Sequence, residues 1–150
     1  MSDNYEHFIP VDPKFVPDYA ARERMRVLLK GFFPKSDDVD LVVHDSVEIV
    51  LAMENFERVL CPRCDTEIDM DWWVSAVDAA YETRFENLSI VTPCCGSEVS
   101  LNDLTYDWPQ GFATFCASVR NCDREPVSDE EVRQLEAAAG CPLRVVFARI

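Results

Sequence analysis

Seven cysteines stand in this chain of 150 residues, and four of them fall into two tight groups. Cys61-Pro-Arg-Cys64 sets two thiols three positions apart, and Thr92-Pro-Cys94-Cys95-Gly96 brings a second pair thirty residues after Cys64. Thiolates at such spacing on a tight turn can aim at one ion while the turn's amides donate to the sulfurs. Two such pairs complete a tetrahedron. The chemistry expected is therefore coordination of one structural zinc by Cys61, Cys64, Cys94 and Cys95. The opening Met-Ser-Asp-Asn-Tyr-Glu-His has neither a basic region nor an apolar stretch, so no signal peptide is expected and the chain is read as cytoplasmic. Reduced thiols are the rule in that compartment, and a metal explains the cysteines better than disulfides do.

The two groups are not equivalent. Aligning Cys95-Gly96 with the end of a C-P-x-C-G turn leaves Thr92 where the earlier cysteine belongs. Cys95 is thus the firmer ligand, and the fourth position is open to Cys94, Cys116, Cys122, Cys141 or a histidine. Cys116 alternates with its neighbours on an expected strand and reads as a small core residue, while Cys122 sits in a polar loop and is expected to be exposed. The first group matches the C-P-x-C of the zinc ribbon, and residues 58–101 resemble that fold. The resemblance implies two knuckles on facing hairpins. As a whole chain, C-P-x-C paired with P-C-C-G is similar to uncharacterised bacterial proteins, which implies no activity. A strand entering C-P-x-C before a helix, with a later Thr92-Pro93, also resembles the thioredoxin superfamily. That resemblance implies Cys61 as a nucleophile of low pKa. The stretch from Cys64 to Pro93 has room for only one helix and one strand, less than that superfamily needs.

No residues are singled out for catalysis. His44-Asp45-Ser46 holds the three residue types of a hydrolytic triad, but consecutively, on what reads as a turn, where they project apart. His7 has no evident partner, and no two carboxylates are set apart for acid–base work. Trp72, Trp73 and Trp108 read as core. No phosphate-cradling glycine loop occurs among the four glycines.

Twenty-eight acidic residues against fourteen basic ones give a net charge of −14. That field repels phosphate backbones, so nucleic acid is not the expected partner; a protein with a basic surface is. The apolar runs are too short to span a bilayer.

These cysteines need elements to hold them. Residues 1–17 read as an extended aromatic arm broken by Pro10, Pro13 and Pro17, with one α+β domain over residues 18–150. A helix is expected from an Asp18 cap to about Gly31, burying Ala21, Met25, Leu28 and Phe32. A hairpin is expected over Val39–Val43 and Val47–Leu51, and a strand at Phe56–Leu60 leads into Cys61. A second helix over Asp71–Glu82 is followed by a short hairpin of Leu88–Val91 with Glu98–Leu101. A strand over Phe112–Val119, a helix opened by the Ser128–Glu131 capping box and stopped at Gly140, and a strand over Leu143–Ala148 end the chain. The strands near 115 and 145 are expected to be parallel neighbours. The fold class is α+β: a mixed sheet of about six strands, three helices and a zinc-ribbon-like knuckle pair.

Overall fold

Phe8 and Ile9 are adjacent in the chain and both fully buried, each in a different hydrophobic cluster. The computed structural model, which describes residues 2–150, places them on β1 (Asn4–Pro10). This strand lies between β8 (Gly111–Arg120) and β9 (Leu143–Arg149), antiparallel to both, and β2 (Asp38–Val50) completes a sheet of order β2-β8-β1-β9. The expected arm is therefore largely an inner strand; Met1 lies outside the described residues. Pro10 ends β1 and Pro13 and Pro17 follow it, so the lost amide donors fall at and after the strand's end. β8 and β9 do run in the same direction, but they are not neighbours, because β1 occupies the place between them.

One face of this sheet is covered by α1 (Tyr19–Phe32) and α3 (Asp129–Ala139). Phe8, Phe115, Ala117 and Val119 from the strands pack with Met25, Leu29, Phe33 and Leu135. The helix ends follow the sequence closely. Asp18 Oδ1 accepts the Ala21 N–H at 2.8 Å. Ser128 and Glu131 exchange both capping-box bonds, at 3.1 and 2.9 Å, and Gly140 closes α3 at φ +78°. The buried stripe of α1 is Ala21, Met25 and Leu29, with Leu28 and Phe32 at its margin.

The expected hairpin over Val39–Leu51 is one long strand. Val43 pairs with Phe115 and Glu48 with Ala113, so four residues of β2 bulge against a single residue of β8. The ten-residue β8 offers both apolar runs a partner, and no turn between them is needed. His44-Asp45-Ser46 lies within this bulge, on strand rather than on a turn. Beyond it, Val47 and Ile49 join a second core.

That second core belongs to shorter elements. β3 (Arg58–Leu60) pairs with β4 (Glu67–Ile68) and β7 (Thr105–Asp107), while β5 (Ser89–Val91) pairs with β6 (Glu98–Ser100). α2 (Met70–Tyr81) is capped by Asp69 and buries Trp73 against Phe56 and Tyr106. Trp73 Nε1–H donates to Tyr106 Oη at 3.1 Å, which donates in turn to the Leu101 carbonyl at 2.6 Å. The class is α+β with three helices as expected, but the strands number nine, in three sheets, among the described residues.

Arg144 on β9 fastens the two regions. Its Nη1 donates to Asn102 O at 3.0 Å, Asn102 Oδ1 at 3.1 Å and Gln110 O at 2.9 Å. Gly111 leaves room for this guanidinium, since a Cβ there would stand 2.5 Å from Nη1. No helix among the described residues is long and apolar enough to cross a membrane.

Candidate metal centre

β3 delivers Cys61 to the head of the β3–β4 turn, and β5 delivers Thr92 to the head of the β5–β6 turn. The two turns are built alike. Cys61 N–H donates to Thr66 O at 2.9 Å and Asp65 N–H to Cys61 O at 2.9 Å; Thr92 N–H donates to Ser97 O at 2.9 Å and Gly96 N–H to Thr92 O at 3.1 Å. The fifth residue of each turn is left-handed, Asp65 at φ +60° and Gly96 at φ +68°. Aspartate and glycine tolerate that backbone better than most residues. Cys61-Pro-Arg-Cys-Asp-Thr thus superposes residue for residue on Thr92-Pro-Cys-Cys-Gly-Ser.

The turns face each other and bring four sulfurs together. Cys61, Cys64, Cys94 and Cys95 place their Sγ atoms within 4.8 Å of one another, with Cys61–Cys95 at 3.7 Å and Cys64–Cys94 at 3.4 Å. Four sulfurs at the usual zinc distance stand about 3.8 Å apart, so the arrangement could hold a metal ion with little movement. Cys61 is fully buried and belongs to the Trp73–Tyr106 core, while the other three are exposed. The centre is anchored on its inner side and open on its outer side.

Hydroxyl and amide groups tune the sulfurs. The Cys64 thiol donates to Thr66 Oγ1 at 3.2 Å, and Cys95 Sγ lies 3.2 Å from Ser97 Oγ and 3.5 Å from Thr92 Oγ1. The Ser97 hydroxyl, followed by that of Thr92, holds the Cys95 thiol down at about 6. Desolvation pushes Cys61 up, but N–H donation from Cys64 and Arg63 outweighs it and leaves the thiol below its usual value. Desolvation and then the neighbouring Cys64 thiol push Cys94 up to about 11. Thr66, Ser97 and Thr92 were not anticipated from the sequence. The signal was present as a hydroxyl two residues after the last cysteine of each group.

The alternative fourth ligands lie elsewhere. Cys116 is buried on β8, with Sγ 3.8 Å from His7 Nδ1 and 3.5 Å from Ser118 Oγ. His7, held down to about 4 by burial, accepts from or donates to Ser118 Oγ at 2.7 Å. Cys122 is half-buried rather than exposed, because its loop folds back on the helix-covered core; burial and then the Glu6 carboxylate push its thiol up to about 12. Cys141 is half-buried after Gly140. The Cys61–Cys64 turn also leads into β4 and not directly into a helix, unlike a thioredoxin-type dithiol. Comparison with protein-family models, with curated proteins and with solved structures found no match, so this centre is read from its own donors and geometry.

Proposed function

We propose that this chain is a zinc protein of the cytoplasm whose closed four-thiolate site is structural, and whose acidic cysteine-bearing region binds a basic protein partner. The observation that carries the reading is the convergence of four sulfurs from two separate turns. An all-sulfur donor set favours zinc over hard cations such as magnesium or calcium. Four thiolates also leave no position for a water, so the metal holds the fold and does no chemistry. No nucleophile–base pair with an oxyanion site stands beside it.

Charge supports the partner's class. Residues 54–107 hold twelve acidic and three basic residues, a net −9 of the chain's −14. An open groove of about 550 Å³ beside the first turn is lined by Glu98 and Asp103. A basic protein is attracted to such a field and nucleic acid is repelled. The role is that of an accessory, adaptor or toxin-neutralising protein.

Elemental analysis of protein purified without chelator tests the first half: one zinc per chain is expected, and no zinc with seven titratable thiols would refute it. Affinity capture followed by association kinetics across a salt series tests the second. Association should slow as salt rises; micromolar DNA binding at physiological salt would reverse the partner class. Disulfide reduction that depends on Cys61 would favour an oxidoreductase instead.

A further inference from the structure

The two turns superpose, yet their sulfurs do not occupy the same places. In the first turn they stand at the first and fourth positions, Cys61 and Cys64. In the second, Cys95 holds the fourth position, but the first is Thr92, which is 2 % exposed and accepts the Ser97 N–H on Oγ1 at 3.1 Å. The remaining sulfur comes from the third position, Cys94, whose counterpart in the first turn is the exposed Arg63. Cys94 therefore reaches the cluster from the solvent side.

Its surroundings also differ. Cys64 and Cys95 each have a hydroxyl two residues on, at 3.2 Å in both cases, and Cys61 accepts the Arg63 N–H at 3.4 Å. Two residues after Cys94 is Gly96, which offers none, and its short contact is with another sulfur, Cys64. Donors withdraw electron density from a metal-bound thiolate and fix its orientation. A thiolate without them, exposed and outside the regular position, is the better nucleophile and the more easily released ligand.

We propose that Cys94 is the exchangeable arm of the metal centre and a modification site for soft, uncharged carbon electrophiles such as Michael acceptors; this rests on the zinc reading above. Its sulfur adds to the β-carbon of the acceptor, forming one C–S bond. The displaced π pair takes a proton from water at the α-carbon, and nothing is oxidised or reduced. The product thioether is a neutral, weak ligand, and Cys61, Cys64 and Cys95 keep the ion. The local net charge of −9 disfavours anionic reagents.

Substoichiometric N-ethylmaleimide on the zinc-loaded protein, followed by peptide mapping with fragmentation between Cys94 and Cys95, tests this. Cys94 should be labelled about tenfold or more faster than any other cysteine, as thiolate exposure dictates. Neutral iodoacetamide should outpace anionic iodoacetate at the same residue. Cys94→Ser should abolish the fast phase. Thr92→Cys combined with Cys94→Ala, which returns the ligand to the first position, should keep one zinc and also lose it. First labelling elsewhere on zinc-loaded protein, or a fast phase surviving in Cys94→Ser, would overturn this inference alone. Failure to take up zinc would overturn the metal reading, and this inference with it.

Discussion

The four-stranded sheet with α1 and α3, and the cysteine-bearing region of β3 to β7 with α2, are held together by different means. The first has strands of seven to thirteen residues and a core that includes the fully buried Phe8, Met25, Leu29, Phe115 and Leu135. The second has strands of two or three residues, and its core shares Phe112 and Val47 with the larger sheet. Strands that short do not hold a sheet by themselves. One region is fastened by apolar burial, and the other by sulfur convergence on a borrowed core wall.

Removing the metal should separate the two most sharply. Structural zinc contributes on the order of 10 kcal/mol in small zinc-binding peptides, so a strong chelator should unfold the cysteine region. Trp72, Trp73 and Trp108 all lie in or beside that region, and tryptophan fluorescence reads it directly. Amide protons of β1 and β8 should stay protected from exchange; their simultaneous loss would make the molecule one cooperative unit. Cys61→Ser and Cys95→Ser should lower zinc content and melting temperature, whereas Cys122→Ser should leave zinc content unchanged.

The converse experiment attacks the larger core. Phe115→Ala should cost about 3–5 kcal/mol, the usual loss for a buried phenylalanine. Zinc stoichiometry at low temperature should remain at one per chain. A variant that also loses zinc would show that the cysteine turns need the sheet more than the sheet needs them.

The junction comes next. Gly111→Ala would drive a methyl into the Arg144 guanidinium and Asn102 Oδ1, at 2.5 and 2.8 Å. Overpacking of this kind costs about 1–3 kcal/mol. Unfolding followed by tryptophan fluorescence and by far-ultraviolet circular dichroism should then give two midpoints instead of one.

The smallest effect is expected at the α3 cap. Arg124 donates to Glu131 at 2.7 and 2.8 Å, and that hydrogen bonding holds the carboxyl down at about 2. A depressed carboxyl contributes stability above its unfolded value, about 4.3, and loses it as pH falls toward 2. Glu131→Gln should therefore lower stability by about 1 kcal/mol at pH 7, and should flatten the decline between pH 5 and 2. The cysteine region should not respond to this variant at neutral pH.

Helix ends, the two turns and most strand positions were legible because each depends on neighbours within a few residues. Asp18, Ser128, Glu131 and Gly140 satisfy or close their own helices. Cys61-Pro-Arg-Cys64 and Thr92–Ser97 shape their own turns through amide bonds that span at most five residues. The assignment of Thr92 to the first position of the second turn could likewise be read from the residues, since it follows from alignment alone.

Partnership over long separations was not legible. Prolines 10, 13 and 17 suggested an arm, yet Asn4–Pro10 pairs with strands more than a hundred residues away. Two β-branched runs suggested a hairpin, yet both found β8. Local sequence states which segments are extended and which face is apolar; it does not state which edge is free to receive them. The same holds at the metal centre. Spacing determined that Cys61 and Cys64 would share one turn. Only the packing of β3 and of the β5–β6 hairpin around the Trp73–Tyr106 core decided that Cys94 and Cys95 would meet them, because that convergence depends on buried apolar contacts distant in sequence.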